Sequence, residues 1–264
     1  MIDIKKAEEE FERYTSNYDM NESHIERKVR HTFRVEELCG KIATSLEMNE
    51  EETNLAKLIG LLHDIARFEQ YTRYKTYDDH KSIDHGDFGV EILEKDFYIR
   101  KYIKTDKYDE IIRKAILNHN KAVIGETSNE RELLHCRIIR DADKLDIFYV
   151  ILNDSLEATY PLDRYPKEPI TKEVKEEFIK NHVVNYSNVK SCADLLVGQI
   201  GFIFDINYIY SLKEIEENNY INKMINRYDS KDKETIKDLK ELKEIAEKYI
   251  QEKVEEGDIC LKSY

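Results

Sequence analysis

Three prolines and eight glycines are few for 264 residues, and no Asn-Gly or Asp-Gly turn joins alternating apolar runs. That scarcity of turn residues argues against an all-β chain and for helices with few sharp corners. Cys39, Cys136, Cys192 and Cys260 show no CxxC and no framework spacing, which excludes a disulfide-stapled scaffold and fits reduced thiols in the cytoplasm. No apolar run approaches the roughly 20 residues that span a bilayer. The N-terminal MIDIKKAEEEFERY is charged and amphipathic, unlike a leader, so no membrane partner is expected. A net charge of −13 excludes a broad basic footprint for nucleic acid. It leaves room for a small anion, since a bound dication and a few Lys or Arg residues can reverse the local field.

What is present is 37% charged residues with abundant Lys, Glu, Leu and Ile, a composition that reads as almost entirely α. Apolar periodicity predicts a short helix at 3–14 and a longer one from an Asn21 cap to about Leu46. Asn49, with Glu52 three residues on, resembles a capping box for a helix through Leu55, Leu58, Ile59 and Leu62. Residues 67–82 lack a clear period and read as a loop. Helices follow from near His85, over 107–118, and from an Asn129 cap to Tyr149. All three prolines fall within 157–170, which reads as a linker. Thr171 caps a helix at 172–182, the stretch 191–210 is apolar, and Ile236, Leu239, Leu242, Ile245, Tyr249 and Val254 mark an amphipathic helix that Gly257 can end. The expected domains are 1–156 and a helical C-terminal extension, 157–264, packed on the same core.

The chemistry concentrates in a vicinal pair, His63-Asp64, at the end of an apolar helical run, where burial without partners would be costly. His31, His85, His119 and Asp143 each sit on or beside an apolar helical stretch. Six N/O donors in the order His, His-Asp, His, His, Asp suit one or two divalent ions. On the residues alone, Asp141 and Asp146 rival Asp143, and His85 and His119 can be substrate-binding or structural instead. His24, His80, His135 and His182 read as surface or supporting residues.

The segments HTFRV (31–35), LLHDIARF (61–68), HGDFGVEIL (85–93), ILNHN (116–120) and RDADKLD (140–146) together resemble the HD-domain superfamily of metal-dependent phosphohydrolases. The resemblance covers roughly 24–154 and implies an all-α HD-domain helical bundle. It assigns His31, His63, Asp64 and Asp143 to a primary metal site, because the family's ligand directly precedes a Lys. His85 and His119 match the additional ligands of two-metal members, with Asp64 bridging. Imidazole and carboxylate donors favour Mn or Fe, with Ni, Co and Zn compatible.

In such a site metals lower the pKa of a bound water and neutralise a phosphoryl oxygen. Lys144 resembles a lysine that contacts substrate phosphate in some members; its other reading is an ion-pair partner for Asp141 or Asp146. Arg67, one turn beyond the pair, suits bidentate phosphate binding, although several relatives carry Glu there. Glu69, Asp79 and Asp84 are candidate replacements for that acid-base group, and Arg73, Lys75 and Lys81 can help hold an anion. The catalytic expectation rests on Asp64, Lys144 and Arg67. The leading reading is hydrolysis of a phosphomonoester or phosphodiester in a small molecule, a nucleotide or related metabolite. The alternatives are a di-iron oxygenase on the same ligands and a non-catalytic nucleotide-binding module. A homodimer is compatible with the apolar C-terminal third.

Overall fold

The computed structural model describes residues 2–163 and 165–261, with the side chains of 157, 158 and 258–261 left aside, so Cys260 lies outside the described side chains. Among the described residues the architecture is helical with no strand. The chain divides into two compact units, Met1–Asp143 and Lys144–Tyr264.

In the first unit α1 spans Ile4–Thr15, α2 Ser23–Ser45 and α3 Glu50–Leu62. Asp3 caps α1 by accepting from the Lys6 amide, and the buried Phe11 ring meets Phe33 and Phe68 edge-on at 5.6 and 5.7 Å. The cap of α2 is the Glu22 carboxylate, one residue beyond the expected Asn21, whose own amide turns back to Asp19. Asn49 caps α3 as expected, but Glu52 reaches Arg131 and His135 instead of closing a capping box. Helices α2 and α3 come close together at Gly60, where a Cβ would lie 2.9 Å from the Glu36 Cα and 3.0 Å from the Cys39 sulfur.

The expected loop at 67–82 is a correction. Residues Ala66–Tyr74 form α4, because Phe68, Gln70 and Tyr71 share a buried face that the surrounding polar residues obscure in the sequence. Lys75 ends it in the left-handed region, at φ 54°, and a single 3-10 turn follows at Asp79–Lys81. Then come α5 (His85–Glu94), α6 (Asp109–Asn118) and α7 (Glu130–Asn153), with the unit boundary falling inside α7.

The second unit continues with α8 (Leu156–Thr159), α9 (Lys172–Asn181), α10 (Cys192–Ile200), α11 (Ile209–Glu217), α12 (Tyr220–Tyr228) and α13 (Lys233–Leu261). Thr171 caps α9 as its position predicts. A capping box between Ser191 and Asp194 starts α10, which buries Ala193, Leu196, Val197 and Ile200. Gly257 does not end the last helix. It lies inside α13 because α11 crosses there, and a Cβ would fall 2.5 Å from the Ile209 side chain. Ile236 is exposed, leaving Leu239, Leu242, Ala246 and Ile250 as the buried stripe.

Two outcomes follow from the α2–α3 contact. Gly60→Ala places a methyl against backbone, so a loss of about 1–3 kcal/mol in chemical unfolding is expected. Beside that contact, burial pushes the Glu36 carboxyl up to about 7 despite Lys57 at 3.0 Å. An acid at about 7 when folded and at its ordinary 4.5 when unfolded favours folding below pH 4.5 and loses that advantage as pH rises through 7. Glu36→Gln should therefore match the parent in melting temperature at pH 4.5 and exceed it at pH 8.

Candidate metal centre

Three helix ends, two helix interiors and one interhelical turn of the first unit supply the cluster. His31 lies within α2. His63 and His119 are the residues that close α3 and α6. In each, the ring Nδ1–H donates back to the carbonyl three residues earlier, to Gly60 at 2.7 Å and to Ile116 at 2.6 Å. These bonds satisfy carbonyls that a helix C-terminus leaves without an intrahelical partner. His85 opens α5, where the Asp84 carboxylate caps the Gly86 and Asp87 amides. Asp143 comes from α7, and Asp64 follows His63 in the turn between α3 and α4.

Asp64 is the centre. Its Oδ2 lies 3.4 Å from His31 Nε2 and 3.6 Å from His63 Nε2, while Asp143 Oδ1 stands 3.3 Å from the same His31 nitrogen. Its Oδ1 faces the other way, 3.5 Å from His85 Nε2 and 3.7 Å from His119 Nε2. The cluster thus has two halves, His31–His63–Asp64 and Asp64–His85–His119, sharing one carboxylate. All five of these residues are buried. Asp143 is the member with an outward side, its side chain 21% exposed.

The donor chemistry fits a cation. Carbonyl oxygens accept only, so His63 and His119 carry their protons on Nδ1 and direct Nε2 lone pairs inward. His85 Nδ1 faces the Asp79 carboxylate at 2.5 Å, which sets the same tautomer. Burial lowers His63 to about 3 and His85 to about 4, so both rings are neutral at pH 7. Nε2 of His85 and of His119 then stand 2.9 Å apart as two acceptors beside a carboxylate. Burial alone would raise the Asp64 pKa, but the Lys28 ammonium at 2.7 Å holds it well below the usual range. An anionic, acceptor-rich pocket of imidazole and carboxylate suits a divalent metal.

The sequence-expected residues divide clearly. His31, His63, Asp64, His85, His119 and Asp143 come together. Arg67 is near, its Nε 3.4 Å from Asp64 Oδ1, but its Nη1 donates to Gln70, to the Tyr77 carbonyl and to Asp79. Lys144, in the second unit, pairs with Asp205 at 2.7 Å. Of the three candidate acids, Glu69 accepts from Tyr18 and Arg73, Asp84 caps α5 and pairs with Lys121, and only Asp79 reaches a cluster histidine. Lys81 pairs with Asp78, and Lys75 sits over the Tyr71 ring. His135 is fully buried against Glu52, a structural histidine and not a surface one.

Sequence reasoning missed Lys28, Gln70, Asn120 and Arg140. Lys28 had a signal, since it precedes His31 by three residues on α2 and so shares its face. Arg140 is buried on α7 and donates to the carbonyls of Asn118, Lys121 and Ala122, tying down the chain on both sides of His119. Nothing in the local pattern announces that contact.

Residues 29–147 match the family model described as the HD domain, somewhat under half of the chain. No curated protein and no solved structure matches the chain. Among the described residues no helix is long and apolar enough to cross a membrane. The matched segment contains all six clustered donors, and the His and Asp cluster fits a metal-binding HD site. Residues 29–147 are an HD domain.

Proposed function

We propose that this protein is a metal-dependent phosphohydrolase acting on a phosphomonoester or phosphodiester of a small molecule, a nucleotide or related metabolite. The observation that carries this reading is the Asp64 carboxylate, with one oxygen toward His31 and His63 and the other toward His85 and His119. His31, His63, Asp143 and Asp64 would hold one ion; His85, His119 and Asp64 would hold a second. The nitrogen and oxygen donors favour Mn or Fe. When bound, such ions activate water and offset charge on phosphoryl oxygens.

The chain's own residues prepare that centre. Asp64 stays ionised because Lys28 stands against it. Arg67 holds the 75–84 segment against α4 through the three acceptors of its Nη1, and its Nε faces Asp64 Oδ1 at 3.4 Å. Lys28, 2.7 Å from the shared carboxylate and with its side chain 21% exposed, would meet an anionic substrate. The net charge of −13 favours a small phosphorylated substrate over nucleic acid.

A release screen of small phosphorylated metabolites, run with Mn2+ and with anaerobic Fe2+, tests the reading. Metal-dependent phosphate or nucleoside release should fall at least about 100-fold in Asp64→Ala, since even the loss of a ligand's supporting partner costs about 10–100-fold. Metal-loaded protein that releases neither, yet consumes O2 with iron and a substrate, would replace hydrolysis with oxygenase chemistry. Lys28→Met should move two quantities in opposite directions. The metal-free protein should melt lower, because a buried carboxylate loses its partner. Mn2+ should bind tighter, on the order of tenfold by titration calorimetry, because a competing cation beside Asp64 is gone.

A further inference from the structure

The two halves of the cluster are held by different means. His63 and His119 bond to carbonyls of their own helices, an anchorage that exists wherever the helix exists. His85 has no such local acceptor. Its Nδ1 faces Asp79 Oδ2, six residues earlier, on the short turn Asp79–Lys81 whose neighbour His80 is exposed. Asp79 is itself aimed from α4: Arg67 Nη1 and Gln70 Nε2 each donate to its Oδ1 at 2.9 Å. The fully buried Gln70 also donates to Ser82 and to the Ile83 carbonyl, so the segment leading into His85 is laced to one side chain.

We propose that Asp79 is the positioning residue of the second half-site: it fixes His85 in the Nδ1–H tautomer, aims Nε2 at Asp64 Oδ1, and so sets affinity for the ion shared by His85, His119 and Asp64. This rests on the paired-ion reading above. A neutral imidazole presents a lone pair on one nitrogen only, and the group facing the other nitrogen decides which. Asn120 Nδ2 also lies 3.3 Å from His85 Nδ1, and that amide is a donor. With Asp79 removed, the donor remaining at Nδ1 favours a lone pair there and moves the proton to Nε2. His85 would then present N–H to the cluster, where a metal requires a lone pair. The first half-site does not depend on Asp79 in this way, because His63 takes its tautomer from Gly60.

The test is titration of the metal-free full chain with Mn2+, followed by calorimetry and by electron paramagnetic resonance at two equivalents. The wild type should bind two ions and show an exchange-coupled pair. Asp79→Ala should weaken one ion by about 10–100-fold, leave the other within about threefold, and show an uncoupled six-line signal. Asp79→Asn keeps an acceptor of the same shape without the charge. Its single oxygen cannot serve both His85 and the Arg67–Gln70 pair, so a smaller loss at the second ion only is expected, of at least about threefold.

Equal weakening of both ions in either variant would mean a general electrostatic or structural effect and would overturn the assignment. So would an unchanged second ion in Asp79→Ala, or in Asp79→Asn should the alanine variant lose its helical circular dichroism. A wild type that binds a single ion would overturn the paired-ion reading itself, and this assignment with it.

Discussion

Everything in the first unit answers to one buried carboxylate. Asp64 is only 3% exposed and is ringed by four imidazoles, at least three of which present lone pairs and not protons. An ionised carboxylate among acceptors is a poor occupant of a helical interior unless a cation faces it. Lys28 supplies one unit of positive charge at Oδ2, and the Arg67 guanidinium lies 3.4 Å from Oδ1. Both oxygens thus have a basic side chain behind them and histidine nitrogens ahead of them. That arrangement fixes where α2, α3, α5 and α6 must bring their histidines.

Helix ends are the device that makes this possible. His63 and His119 use one local motif twice, a closing residue whose ring returns to the carbonyl three residues before it. The ring is fixed by the bond that also satisfies the helix terminus, so local folding orients it. His85 sits at the opposite kind of end, beside the positive pole of α5, where a protonated ring is disfavoured. That setting agrees with its pKa, lowered to about 4 chiefly by burial and next by Arg67. Neutral rings at both kinds of terminus are what a metal needs as ligands.

The sequence made the centre legible because each ligand follows an apolar periodic stretch: Leu55 to Leu62 before His63, and Ile111 to Ile116 before His119. Period and capping signals likewise placed most helices to within a few residues. The errors have a common physical source. Helix α4 was hidden because its buried face includes Gln70, a polar residue whose role is to bind the chain that follows. Gly257 reads as a stop locally and is instead a point of close approach to Ile209. His135 looks superficial until Glu52, 83 residues away, is brought against it. In each case the deciding contact is tertiary, and no local window contains it.

The same distinction separates the two halves of the metal cluster. What is written locally, the returning histidine at a helix end, is robust to anything that leaves the helix intact. What is assembled from distant parts depends on a relay, from α4 through Arg67 and Gln70 to Asp79 and on to His85. A relay of polar side chains in a partly buried setting is stable only while every member is satisfied. The relay also runs through the segment that carries Tyr77, whose ring lies over both Lys28 and Arg67 at 5.5 and 5.6 Å. Displacement of that segment would therefore disturb the cation behind Asp64 and the tautomer of His85 together. The least locally encoded part of the site is thus the part through which the 75–84 segment can act on the shared carboxylate.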